Sequence, residues 1–178
     1  PVMRAGADAV KDGKPLPPFV ADAARGAAEV LYGLGSVGGR QSDDLASMIY
    51  LRLALALDPQ HGLALATLAD VYERMKQNEQ AIRIYEMVPS TSPLYDNAEV
   101  QIGLLLEAAG RSDDALKHLT RLVEQRSKDI ETVLALANLQ RSRKQFAEAA
   151  ETYTRALTLS SGGRSDWSTY YALSLIHI

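Results

Sequence analysis

Cysteine is absent, which removes disulfides, thiolate metal ligands and cysteine nucleophiles together. Aromatic residues are thin at 6%, and the chain has only two Phe and one Trp. Histidine is scarce too. His61, His118 and His177 are the full set, and none has a second His, Asp or Glu four residues on, the spacing of helical zinc sites. They read as surface or interface histidines, and no metal or cofactor is expected. No apolar run approaches the roughly 18 residues needed to cross a bilayer, so no membrane span is expected. Neither sign of charge dominates: 19 Lys and Arg stand against 22 Asp and Glu, a formal charge of −3. Nothing there draws the chain toward nucleic acid. No Ser-His-Asp arrangement, phosphate loop or calcium loop is present. Catalysis has no residues to work with here, and the expectation is a protein that is not an enzyme.

What is abundant is Ala and Leu, which favour helices. The chain has 178 residues, of which 47% are apolar and 23% charged, ordinary values for a folded domain or several small repeats. Two amphipathic helices are plain between Ile130 and Gly163. One carries Val133, Leu136, Ala137 and Leu139; the other carries Ala149, Ala150, Tyr153, Ala156 and Leu157. Spacings of three and four put these on one stripe of each helix. Arg143-Lys144-Gln145 is the turn between them. Such a pair cannot bury its stripe alone and needs neighbours built the same way. Upstream, Val2 to Val10 reads as a short helix, and Pro15, Pro17 and Pro18 enforce an extended segment. Ala21–Leu34 reads as a helix ended by Gly38-Gly39. Ser42, Asp43 and Asp44 supply N-cap candidates for a helix over Leu45–Leu57.

From Ala28 onward, four blocks of thirty-four residues align without a gap: 28–61, 62–95, 96–129 and 130–163. The seventh place holds Leu34, Leu68, Ile102 and Leu136. The eighth holds Gly35, Ala69, Gly103 and Ala137, all small. The twentieth holds Ser47, Ala81, Ala115 and Ala149, small again. The twenty-fourth holds Leu51, Tyr85, Leu119 and Tyr153, all large. Two helices approach closely only where a side chain is small, and a large residue then fills the space one turn on.

These blocks resemble tetratricopeptide repeats, whose thirty-four-residue pattern sets Leu-Gly, Tyr, Ala, an aromatic and Pro at fixed offsets. Block 62–95 supplies Leu68, Ala69, Tyr72, Ala81, Tyr85 and Pro93. The others match more sparsely, with Leu106, Leu119 and Ser127 standing in block 96–129 where aromatics and proline are wanted. Residues 1–27 form a helical, Pro-rich lead-in. A fifth repeat starts near Trp167, after an insertion at Arg164-Ser165-Asp166, and is cut short. Ser174–Ile178 read as non-native residues. The chain begins at Pro1 and stops inside an apolar stretch, so it looks like an internal fragment of a longer bacterial repeat protein. Either the cytoplasm or the periplasm fits, because zero cysteine does not separate them.

The resemblance implies an all-α fold, an α-solenoid of helix-turn-helix repeats forming a right-handed superhelix. It also implies a concave groove, lined by first helices, that binds a peptide or partner helix. Transferring the groove places residue by residue gives Leu63, Asp70, Arg74, Asn97, Val100, Leu104, Leu134, Asn138 and Arg141. Chaperone-binding members hold a terminal carboxylate with Lys and Asn at the fifth and ninth places. Of those places only Asn138 matches here, so that specificity is not expected. The expected function is a non-catalytic interaction scaffold. The alternative is a targeting or regulatory region of a larger enzyme. Self-association through the truncated last repeat is expected as well.

Other features have plainer readings. Gly33-Leu34-Gly35-Ser36-Val37-Gly38 fits the spacing G-x-G-x-x-G, yet no strand precedes it, so a nucleotide site is not expected. Asp43-Asp44 and Asp113-Asp114 are expected to cap helices and offset their dipoles. Lys117, Arg121, Arg126 and Lys128, with Arg141, Arg143 and Lys144, are expected to form a solvated face.

Overall fold

The computed structural model describes residues 22–40, 43–160 and 167–177, with Lys11 and Val20 besides; residues 39, 40, 168 and 175–177 are described by backbone alone. The expected helix at Val2–Val10, the proline segment and the insertion at 164–166 lie outside the described residues. Among the described residues every regular element is a helix. The chain divides into two compact units, residues 1–61 and 62–178.

In the first unit, α1 (Ala23–Arg40) packs on α2 (Asp44–Leu57). Of the three cap candidates, Asp43 does the capping: its carboxylate accepts the Ala46 amide at 3.0 Å. The expected stop at Gly38-Gly39 lies within one residue of the observed end, but α1 runs past Leu34 through its glycines to Arg40. The reason is tertiary contact. A Cβ on Gly35 would lie 2.8 Å from Leu51 Cγ, and one on Gly38 would lie 3.2 Å from the Ser47 amide nitrogen. Ser47 Oγ donates to the Gly35 carbonyl at 2.6 Å. The missing side chains let two backbones close on each other. That contact offsets the roughly 1 kcal/mol that each helical Gly costs relative to Ala. The glycine cluster is therefore a helix–helix seam, in keeping with the absence of a strand before it.

The second unit runs α3 (Gly62–Arg74), α4 (Asn78–Tyr85), α5 (Tyr95–Ala108), α6 (Ser112–Gln125), α7 (Ile130–Ser142), α8 (Phe146–Ser160) and α9 (Trp167–His177). Each of these helices packs on the next, and α5 also packs against α3 and α7. This is helix pairs stacked in sequence, the all-α solenoid arrangement. The core follows the small-and-large register. Ala81, Ala115 and Ala149 are fully buried, as is Leu119, while Tyr85 and Tyr153 are 3% and 2% exposed. Burying a large apolar side chain is worth roughly 1.5–3 kcal/mol each, which is what makes the stack cohere.

The turns inside the pairs share one geometry. Lys76, Gly110 and Lys144 all have positive φ, at 60°, 78° and 61°. Each is thirty-four residues from the next. At each turn the residue after it donates to a carbonyl five back: Gln77 to Tyr72, Arg111 to Leu106 and Gln145 to Gln140, all at 2.9 Å. The left-handed residue donates to the carbonyl three back, Glu73, Glu107 or Arg141. These paired bonds satisfy the last carbonyls of each first helix and stop it at one place.

Adjacent pairs are tied by charge. Arg111 reaches Glu79 at 3.5 Å and Arg143 reaches Asp113 at 2.7 Å, while within the α5–α6 pair Arg126 reaches Asp96 at 2.8 Å. The acids at the start of α6 thus act differently from expectation. Arg111 is the N-cap, without a side-chain cap bond, and Asp114 pairs back to it at 2.9 Å. The expected solvated basic face is correspondingly neutralised at Arg126 and Arg143.

Candidate functional site

Position along the first helices decides what each expected groove residue can do. Leu63 and Leu104 are 48% and 41% exposed, large apolar side chains open to solvent. Asp70, Arg74, Asn97, Asn138 and Arg141 are exposed as well. Val100 is 4% exposed and belongs to the core, so it offers a partner nothing. Its helix, α5, has a first helix packed on each side. Leu134 is half-buried and packs against the cluster of Ala137, Ala149 and Tyr153, beside Ala172 and Leu173 of α9. Leu173 thus has partners, whereas Trp167, Tyr170 and Tyr171 of α9 are 72%, 59% and 58% exposed.

The polar groups of this face are held from behind, which the sequence pattern did not disclose. Tyr85 on α4 donates its hydroxyl to Asp70 on α3. Tyr153 on α8 donates to Asn138 on α7 at 2.5 Å, and Arg141 Nε donates to the same tyrosine oxygen at 3.3 Å. Burial is the main force pushing the Tyr85 hydroxyl far above its ordinary pKa, reinforced by the hydrogen bond to Asp70 and by the charges of Asp70 and Glu73. The phenol stays a donor, and the Asp70 carboxylate stays oriented. Where the second helix carries Leu instead of Tyr, the first helix carries Gly one place earlier. Gly103 leaves room for Leu119, whose Cδ2 would lie 2.5 Å from a Cβ there. Gly35 and Leu51 make the same pair. In the second unit the Gly–Leu pair leaves Leu104 on the floor and the Ala–Tyr pairs leave Asp70 and Asn138; Ser36 holds the corresponding sequence place in the first unit.

Two histidines take the interface half of the expected reading. His61 is 7% exposed, with Nε2 3.3 Å from a Glu29 carboxylate oxygen and its ring 5.2 Å from that of Tyr32. His118 Nε2 lies 2.8 Å from the Glu99 carbonyl oxygen and 3.6 Å from its carboxylate, in a pocket of about 260 Å³ that Arg121 also lines. A depression of about 460 Å³ lies at the turn before α6, lined by Arg111, Asp113, Asp114 and Arg143, whose charges pair with one another. Among the described residues no group of three or more His, Cys, Asp or Glu is placed to hold a metal, and no helix is long and apolar enough to cross a membrane.

Stacked helix pairs with first helices side by side, bearing oriented polar groups between exposed leucines, define a helical-repeat protein of the solenoid class. Family models for the tetratricopeptide repeat match residues 50–104 and 100–164. The chain belongs to the tetratricopeptide repeat family. Solved structures agree in fold. MamA from Desulfovibrio magneticus RS-1, residues 41 to the end, is 21% identical with a TM-score of 0.64, covering 78% of each chain. PilF from Pseudomonas aeruginosa is 19% identical with a TM-score of 0.68, covering 87% of this chain and 69% of its own. YrrB, described as a TPR protein with an unusual peptide-binding site, is 16% identical with a TM-score of 0.60, covering 89% and 84%. No curated protein matches the sequence.

Proposed function

We propose that this chain is a non-catalytic interaction scaffold that binds a protein segment on the face formed by α3, α5 and α7. The repeat limits 62–95, 96–129 and 130–163 belong to this reading, with 28–61 preceding them. One observation carries it. Asp70 and Asn138 are exposed yet fixed by buried tyrosines, and they flank the exposed Leu104. A solvated scaffold surface has no use for polar groups oriented at the cost of a buried hydroxyl. A binding face does, because ordered polar groups lose less entropy when a ligand arrives. A partner segment would bury apolar groups on Leu63 and Leu104 and take its register from Asp70, Asn138 and Arg141. That YrrB is described with a peptide-binding site is in keeping with this reading.

The test is selection of a displayed random-peptide library on the protein, with recovered peptides re-measured against Leu104→Glu and Arg141→Glu. Both changes are expected to weaken binding at least tenfold. Peptides that bind these variants unchanged would remove the face from consideration. Self-association is proposed through the exposed Trp167, Tyr170 and Tyr171 of α9. Sedimentation at rising concentration should reveal it, and Tyr170→Lys with Tyr171→Lys should abolish it.

A further inference from the structure

Charge is not spread evenly across the proposed binding face. At its α3 side stand Asp70 and Glu73, both exposed. On α5 comes Glu107, half-buried, beside the open Leu104. On α7 the equivalent place is Arg141, exposed and steadied by Tyr153. Arg74 lies among the acids but is already engaged within the chain. Glu131 sits at the opposite end of α7 from Arg141. Glu107 is the most telling group. Its Oε1 meets Ser142 Oγ of α7 at 3.5 Å, while its Oε2 is buried and has no hydrogen-bond partner among the described residues. That oxygen is not itself open to a partner, but the charge of a carboxylate so poorly solvated is weakly screened and adds to the field of Asp70 and Glu73.

We infer that the segment bound here carries a basic side chain, an apolar side chain and an acidic group in that order, extended across α3, α5 and α7. This rests on the groove reading above. The basic group lies among Asp70, Glu73 and Glu107, the apolar one on Leu104, and the acidic one against Arg141. Neighbouring helices pack about 8–10 Å apart, and an extended chain advances roughly 3.3 Å per residue, so the three groups fall about three residues apart. Opposite charges at the two ends exclude wrong partners more than they strengthen the right one.

Three labelled peptides of thirteen residues in a Gly/Ser/Ala background test this by fluorescence anisotropy at low salt. They carry Lys–Leu–Glu, Lys–Leu–Lys or Glu–Leu–Glu at three-residue intervals. The protein should bind the first at least tenfold tighter than either other, whichever way the peptide runs. Arg141→Glu should move the preference to Lys–Leu–Lys, while Leu104→Glu should remove binding of all three with helical circular dichroism unchanged. Equal affinities, or no switch in Arg141→Glu, would overturn the charge order but leave the groove standing if Leu104→Glu still abolishes binding. Binding of none of the three, or binding indifferent to Leu104→Glu, would overturn both.

Discussion

Adding one methyl group to Gly103 should separate tertiary packing from helix propensity. By propensity alone, Ala in place of Gly in a helix interior stabilises by about 1 kcal/mol. Position 103 opposes that gain. The new Cβ would sit 2.5 Å from Leu119 Cδ2 and 2.7 Å from its Cγ, and Leu119 is fully buried, so it has nowhere to retreat. Overpacking of this kind costs about 1–3 kcal/mol, which makes the net effect of Gly103→Ala a loss of up to about 2 kcal/mol. Gly33 is the control. It is also helical, but a Cβ there meets nothing within 4 Å, so Gly33→Ala should stabilise by the full propensity term of about 1 kcal/mol. Repeat arrays open piecewise, so the readout is native-state hydrogen exchange resolved by helix: α5 and α6 for Gly103, α1 for Gly33. A third variant rebuilds the tyrosine-type solution, with Gly103→Ala, Leu119→Tyr and Leu104→Asn together, matching Ala137, Tyr153 and Asn138. It should recover most of the loss. If Gly103→Ala stabilises α5 as much as Gly33→Ala stabilises α1, the seam account of the small residues is refuted.

Ala115 is fully buried where α6 meets its partner helix, and Ala115→Leu should cost about 1–3 kcal/mol in urea denaturation; an unchanged midpoint would contradict the register. Lys76 and Lys144 hold left-handed turn positions that cost an L-residue roughly 1–2 kcal/mol, part of which Gly returns as chain entropy. Lys76→Gly and Lys144→Gly should therefore each stabilise by about 0.5–1 kcal/mol, while Gly110→Ala destabilises by about 1 kcal/mol. Tyr85 has its pKa raised in the folded state above the ordinary tyrosine value of about 10, so its contribution is intact below about pH 10 and falls as unfolded chains ionise above it. Tyr85→Phe should lose about 1–2 kcal/mol at neutral pH and show a shallower alkaline decline, measured by denaturation between pH 8 and about 11. A decline as steep as in the parent would mean another group governs it.

Much of this fold was legible in one line of residues because packing repeats itself. Small places at Ala81, Ala115 and Ala149, and large ones at Tyr85, Leu119 and Tyr153, recur because the same two helices meet in the same way each time. That α1 runs on past Leu34 through Gly35 and Gly38 was not legible, because local propensity has no knowledge of Leu51 and Ser47 across the seam. Val100 was misplaced on the face because a transferred frame treats every first helix alike, whereas α5 is flanked on both sides. The hydroxyl contacts from Tyr85 to Asp70 and Tyr153 to Asn138 join residues fifteen apart on different helices. Their signal was present, since Tyr in one column accompanies Asp or Asn in another. Reading it requires comparing columns rather than scanning along the chain. For His61 the sequence left surface and interface both open, because nothing local marks a turn residue that folds back onto Glu29 and Tyr32.

Because Gly–Leu and Ala–Tyr seams take turns along the chain, neighbouring modules are not interchangeable parts. Cutting out one interior module would set two like seams in succession. Removing or inserting modules two at a time would preserve the beat. An engineer lengthening this protein should therefore copy couples.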